Sequence, residues 1–175
     1  MTGAAIGTSL GYGFAGTVSR AGTYTITATP VALTSDPIAF GEPVILNSDN
    51  TVSSCKNVTI TAANFGGVAV AEVKQNNTYT VGATNATSGQ YTEGQPLGRL
   101  IQGTISVICV HGTPTAGGAV YVRKTLDTDF PDEVIGDFRA DADGSNTVQL
   151  TNCTWKTGLQ DANGVAELFV RTANN

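Results

Sequence analysis

The stretch Thr104-Ile105-Ser106-Val107-Ile108-Cys109-Val110 decides the fold. It begins as an alternation of polar and apolar residues and ends apolar on both faces, which is typical of a strand buried on both sides. A second stretch, Thr23-Tyr24-Thr25-Ile26-Thr27-Ala28, alternates throughout. Its apolar residues share one face and its three threonines share the other, as in a half-buried strand. We therefore expect a β-sheet core centred on the first stretch.

Short strand patterns of this kind recur along the chain, separated by Gly, Pro, Asn and Asp. No segment carries apolar residues at i, i+3 and i+4 over three turns, so we expect no long helix. The composition, with 26 threonines and 21 glycines, also favours strands and turns. We predict an all-β fold, a β-sandwich or barrel-like domain of short strands. The predicted strands lie at residues 23–28, 43–46, 57–62, 67–74, 104–110, 119–123, 147–155 and 167–172. The predicted core contains Val68, Val70, Ile105, Val107, Cys109 and Val120.

The first 17 residues have a different composition. They are rich in Gly, Ala, Ser and Thr, with single aromatic residues at Tyr12 and Phe14, and such a segment cannot form a core of its own. We predict an extended N-terminal arm over residues 1–17 and one β-rich domain over residues 18–175. The arm would be ordered by docking Tyr12 and Phe14 on this subunit or on a neighbour.

Charge and composition restrict the partners. Only 13% of the residues are charged and the net charge is −5, so nucleic acid and anionic membranes are poor partners. Low charge combined with 41% hydrophobic residues favours a surface that other subunits partly cover. The N-terminal residues show no signal-peptide pattern and no stretch is long and apolar enough to span a membrane, so we expect synthesis in a cytoplasm.

Few residues could carry chemistry. Cys55, Cys109 and Cys153 have neither the number nor the spacing of a disulfide framework or a zinc site, so we expect buried free thiols. His111 is the one histidine and follows the most apolar strand, where we interpret it as solvent-facing or hydrogen-bonded rather than as a catalytic base. The sequence predicts a protein that is not an enzyme and has no catalytic residue, metal site or cofactor.

An acidic segment contains Asp127, Asp129, Asp132, Glu133 and Asp137. We interpret it as a solvated loop, with a divalent cation site or a contact to a basic partner as alternatives. Residues 141–146 begin like a calcium loop, but the twelfth position would be a leucine where a glutamate is needed, so an Asp-Gly turn explains them better.

A series of segments, in this order and spacing, resembles the structural cement (capsid decoration) proteins of tailed bacteriophages. Together the segments span about residues 16–173, and the acidic segment is an insertion relative to the family. The segments are Val18-Ser19-Arg20, Phe40-Gly41-Glu42-Pro43-Val44, Phe65-Gly66-Gly67-Val68-Ala69-Val70, Tyr91-Thr92-Glu93-Gly94-Gln95-Pro96, Gly103-Thr104-Ile105-Ser106-Val107, Ala116-Gly117-Gly118-Ala119-Val120-Tyr121-Val122 and Ala166-Glu167-Leu168-Phe169-Val170-Arg171.

The resemblance implies a protein of the capsid exterior that binds the assembled shell and bridges neighbouring subunits of the major capsid protein. It further implies self-association, with a homotrimer preferred and a homodimer as the alternative, and a location in the virion after synthesis in the bacterial cytoplasm. A tail- or fibre-associated protein and a glycan-binding β-sandwich remain as alternatives. The candidate contact residues for the capsid or for other subunits are Tyr12, Phe14, Val18, Arg20, Phe40 and Phe65.

Overall fold

The structure, a computed structural model, describes residues 11–20, 22–72 and 89–173. Within these ranges the chain forms twelve strands and a single 3-10 turn at Gly144–Asn146, which confirms the predicted all-β class. The strands are β1 (Thr25–Pro30), β2 (Ile38–Ala39), β3 (Pro43–Leu46), β4 (Val52–Ser54), β5 (Phe65–Ala69), β6 (Gln90–Tyr91), β7 (Pro96–His111), β8 (Tyr121–Arg123), β9 (Phe138–Arg139), β10 (Thr147–Gln149), β11 (Cys153–Trp155) and β12 (Val165–Val170).

Strand β7 organises the sheet. It is 16 residues long and pairs antiparallel with β1, β5 and β12 and parallel with β9. Both β1 and β5 pair with Arg99 and Leu100, so these two strands lie on opposite edges of β7. The main path of the curled sheet runs β10-β8-β9-β7-β5-β3-β4, with β11 added beside β12. Strands β2 and β6 form a separate pair.

Two apolar clusters lie inside this arrangement. The larger one collects residues from both halves of β7 together with β5, β8, β11 and β12, and it includes Trp155, which is 1% exposed. The smaller one contains Val31, Ile38, Val44, Val52, Ala69, Tyr91 and Leu97. All six residues of the predicted core are buried in the larger cluster, so that prediction is confirmed.

The close approach of β5 to β7 depends on Gly67. Its φ is +124°, a conformation that side-chain-bearing residues rarely adopt. A Cβ atom at this position would collide with the carbonyl oxygen of Leu100. Glycine is therefore required here for both backbone conformation and space.

Two predicted strands are wrong, and the strand predicted at residues 67–74 ends at Ala69, with residues 73–74 outside the described residues. Residues 57–62 form turns and loop, while the neighbouring β4 was missed. Asn64 explains the loop: its side-chain oxygen accepts the N–H of Thr61 at 2.7 Å, and its amide donates to the carbonyl of Thr59 at 3.0 Å. These local hydrogen bonds compete with strand pairing. Residues 147–155 form two strands, β10 and β11, because a turn at Thr151 and Asn152 interrupts them.

Strand β1 is present, but its orientation corrects the expected half-buried pattern. Tyr24, Ile26 and Ala28 face outward and are exposed, whereas Thr29 is buried. The Nε of the buried Arg99 donates a hydrogen bond to the hydroxyl of Thr29 at 2.9 Å. Of the threonines, Thr23 and Thr25 are exposed and Thr27 is partly buried, so only Thr29 turns inward, where the buried guanidinium needs an acceptor.

Candidate functional site

In the segment of residues 11–20, residues 16–19 lie along β7, with main-chain hydrogen bonds and a single β-bridge between Val18 and Ile105. Residues 1–10 of the predicted arm lie outside the described residues. Gly16 N–H donates to the carbonyl of Ser106 at 2.8 Å, Ser106 N–H donates to the carbonyl of Thr17 at 2.9 Å, and Ser19 N–H donates to the carbonyl of Thr104 at 3.1 Å. This segment and β12 occupy opposite edges of β7, because each pairs with Ile105. The segment is therefore ordered by main-chain hydrogen bonds.

Side chains fix both ends of the segment. Arg20 binds Glu167 through Nε at 3.0 Å and Nη2 at 2.6 Å, and this hydrogen bonding lowers the pKa of the Glu167 carboxyl. At the other end, the Tyr12 N–H donates to the carboxylate of Asp161 at 3.0 Å. The segment is thus held at two points in addition to its pairing with β7.

This docked segment presents apolar side chains to the outside. Phe14 is 85% exposed. Tyr12 lines an open cleft of about 400 Å³ together with residues 159–163, which include the exposed Leu159. A hydrogen-bonded segment that carries the exposed Phe14 ring and the cleft-lining Tyr12 is suited to binding another protein.

The structure brings most of the candidate contact residues together. Phe40 is partly buried, and its Cβ would lie 2.9 Å from a Cβ added to Gly16, so it packs beneath the docked segment. Phe65 is fully buried in the larger cluster and offers no surface in the folded chain. The remaining four lie on the docked segment itself: Tyr12, Phe14, Val18 and Arg20.

A second arrangement, the buried ionic cluster, contains Arg123, Glu133, Arg139, Asp141 and Asp143. Glu133 binds Arg123 Nε at 2.7 Å and Arg139 Nη1 at 2.8 Å. Arg123 also binds Asp143, and Arg139 Nη2 lies 3.3 Å from Asp141. The two arginines are 0% and 1% exposed in their side chains, so their charges are satisfied within the protein.

Aromatic rings cover this cluster. The Phe130 ring lies over both guanidinium groups, 4.6 Å from the Cζ of Arg139 and 5.3 Å from that of Arg123. His111 packs edge-on against Phe130 and lies 3.1 Å from the Asp141 carboxylate. The hydrogen bond from Arg123 lowers the pKa of Asp143. These contacts link the acidic segment to the ends of β7, β8 and β9.

The predicted solvated loop is confirmed for Asp132, which is exposed, and wrong for Glu133, which is 6% exposed. The Asp-Gly turn was expected, but the ion pairs of Asp141 and Asp143 were missed. The sequence did contain a sign of these ion pairs. Arg123 and Arg139 each follow an apolar residue in a short strand-like stretch, which indicates buried arginines that need carboxylate partners. His111 has the predicted place at a strand end with a hydrogen-bonding partner.

In the described ranges, no group of three or more His, Cys, Asp or Glu residues could hold a metal ion. Over the same residues, no helix is long and apolar enough to cross a membrane. The three cysteines are free, and all three are buried, which confirms their predicted burial. Burial raises the pKa of Cys55 and Cys153 to about 12 and that of Cys109 to about 11.

Comparison with known proteins gives the family. The model of the family described as XM1 gp53 minor capsid protein matches residues 3–168, nearly the whole chain. The chain belongs to this family. Among solved structures, a chain of "The capsid of Myoviridae Phage XM1" is similar with a TM-score of 0.66 and 15% sequence identity, and the match covers 95% of each chain. No curated protein matches.

Membership in the XM1 gp53 minor capsid family assigns a structural role in the capsid and a location in the virion. The resemblance to a tailed-phage capsid family is thereby confirmed. The solved phage structure supports the fold of the whole chain, since the match extends over almost its full length.

Proposed function

We propose that this minor capsid protein is a decoration (cement) protein, which binds the exterior of the assembled shell and bridges neighbouring major capsid subunits. The observation that carries the proposal is the docked segment of residues 11–20. It is anchored along β7, it holds no charge between residues 11 and 19, and it projects Phe14 with 85% of its surface exposed. In the proposal the protein is not an enzyme and needs no cofactor.

The ordering of the segment favours tight binding. A flexible arm loses conformational entropy when a partner orders it, whereas a segment already paired with β7 loses much less. Burial of one large apolar side chain contributes about 1.5–3 kcal/mol. Phe14, with Tyr12 beside it, can therefore supply most of the apolar contact in each copy, and many copies on one shell add their contributions.

The other candidate contact residues have supporting roles in this proposal. Arg20 holds the segment through Glu167, Val18 packs from the segment against the larger apolar cluster, and Phe40 packs beneath the segment. We further propose that copies associate with one another on the shell, as the resemblance to cement proteins implies. Trp155, the one tryptophan, is buried and offers no stacking surface for a sugar. This burial disfavours the glycan-binding alternative.

The test is binding to expanded capsids that lack the protein and, separately, to free major capsid subunits. We expect the protein to sediment with capsids at micromolar concentration and to raise the temperature at which they burst. Phe14→Ala should lower the affinity for capsids, measured by co-sedimentation, about 10- to 100-fold, the equivalent of about 1.5–3 kcal/mol of binding free energy.

Leu126→Ala is the matched control. Leu126 is also apolar and 62% exposed, but it lies in the loop after β8. Its binding should equal that of the wild type. The proposal is wrong if the protein binds neither capsids nor subunits, or if both variants bind like the wild type. A tail-associated role then becomes the better interpretation.

A further inference from the structure

Strand β1 is an unprotected edge. It pairs with β7 on one side, and within the described ranges no backbone segment pairs with its other side. Tyr24 and Ile26 are 51% and 41% exposed, and Ala28 on the same face is also exposed. An exposed apolar edge strand is a template for pairing with another chain.

The phase of the hydrogen bonds shows which residues offer free backbone groups. Val31 N–H donates to the carbonyl of Gln95 at 2.9 Å, and the register of β1 on β7 continues from that pair. Bonding residues alternate in an antiparallel ladder, so Thr27 and Thr29 bond to β7 and the N–H and C=O of Ile26 and Ala28 point outward. The same two residues therefore present both apolar side chains and free main-chain groups.

The composition of this edge fits a second copy of the chain as its occupant. Residues 21–35 contain no charged side chain, so the edge lacks the lysines and inward charges that usually prevent pairing. Each copy carries a net charge of −5, and two copies therefore repel unless they meet through an uncharged surface. The β1 edge is such a surface, and its threonines and apolar residues suit a second identical strand.

We propose that β1 of two copies pair antiparallel across a two-fold axis. In the register that uses both free residues, Ile26 of each copy exchanges hydrogen bonds with Ala28 of the other, and Thr27 lies opposite Thr27. The inference rests on the self-association included in the proposed function. It names the surface responsible and favours a dimer over the trimer.

A disulfide tests the register. Opposed residues that do not exchange hydrogen bonds have Cα atoms about 4.5 Å apart, within the range that a disulfide spans. The three native thiols are buried, so Thr27→Cys adds one accessible thiol. Under mild oxidation of the folded protein we expect most of the Thr27→Cys chains to run as covalent dimers. Lys124→Cys, in the partly exposed residue after β8, should give few.

Light scattering tests the surface. The wild type should have the mass of two 17.9 kDa chains, Ile26→Lys should have the mass of one, and Leu126→Lys should remain dimeric. Circular dichroism should show that all three are folded, since both substituted residues are exposed. A monomeric wild type, a trimer, a dimer unaffected by Ile26→Lys, or no Thr27→Cys crosslink would overturn the inference. Capsid sedimentation of the same proteins is a separate readout, so failure of capsid binding with an intact β1 dimer would contradict only the decoration role.

Discussion

Replacing Glu133 with glutamine should strongly destabilise the protein, because this carboxylate neutralises two buried arginines. Removing one partner from a buried ion pair costs about 3–5 kcal/mol. Arg123 keeps Asp143 and Arg139 keeps Asp141, so we expect the lower end, about 3 kcal/mol. For a chain of this size each kcal/mol lowers Tm by about 2–4 °C, which gives a decrease of about 6–12 °C.

The assay is thermal unfolding of the purified protein by calorimetry, with urea unfolding as a second measurement. Asp132→Asn is the matched control, since it removes the same charge at the adjacent exposed position. Its stability should stay within about 0.5 kcal/mol of the wild type. If the Glu133→Gln protein melts within about 2 °C of the control, the buried ionic cluster does not contribute as the distances indicate.

Three other predictions concern the backbone, the pH dependence and the thiols. Gly67→Ala should lower the free energy of unfolding, measured in urea, by at least about 2 kcal/mol, because of φ strain and the collision with Leu100. Gly117→Ala is the control, since its φ is +79° but no atom lies within 4 Å of the added Cβ, and it should lower that free energy by less. Equal losses in the two variants would contradict the collision. The pKa of Glu167 is lowered by Arg20, so its stabilisation is present at neutral pH and is lost as the pH falls through and below the ordinary glutamate range. The stability difference between the wild type and Glu167→Gln, below about 1 kcal/mol because Arg20 is half exposed, should therefore shrink as the pH falls below the ordinary glutamate range; a constant difference would refute the ion pair. The buried thiols should resist alkylation at pH 8 until urea unfolds the chain, and rapid labelling of the native protein would show that they are accessible.

The sequence pattern predicted the fold class and the core, since Ile105, Val107 and Cys109 are buried on one face of β7. The expectation that the apolar end of this stretch is buried on both faces is wrong, because Ile108 and Val110 are 49% and 40% exposed. The pattern also did not predict the outward face of β1. Alternation shows that two faces differ, but the burial of Thr29 depends on Arg99, which is distant in sequence and needs the Thr29 hydroxyl.

The docked segment was predictable only in part. Its composition indicated an arm that needs a surface to order it, yet the aromatic rings do not provide the docking. Backbone pairing with β7 and the pair of Arg20 with Glu167, 147 residues apart, hold it in place. The members of the buried ionic cluster all lie within residues 123–143, but the pattern does not show which carboxylates of the loop after β8 turn inward to meet Arg123 and Arg139.

The central position of β7 has a consequence for biosynthesis. Its partners β1 and β5 leave the ribosome before it, whereas β9 and β12 leave after it, and β12 is the last strand among the described residues. A nascent chain that lacks β12 leaves one edge of β7 unpaired beside Ile105 and Val107, with the larger apolar cluster incomplete. We expect truncated translation products to remain unfolded and to be degraded by host proteases, so that only finished chains reach the phage particle.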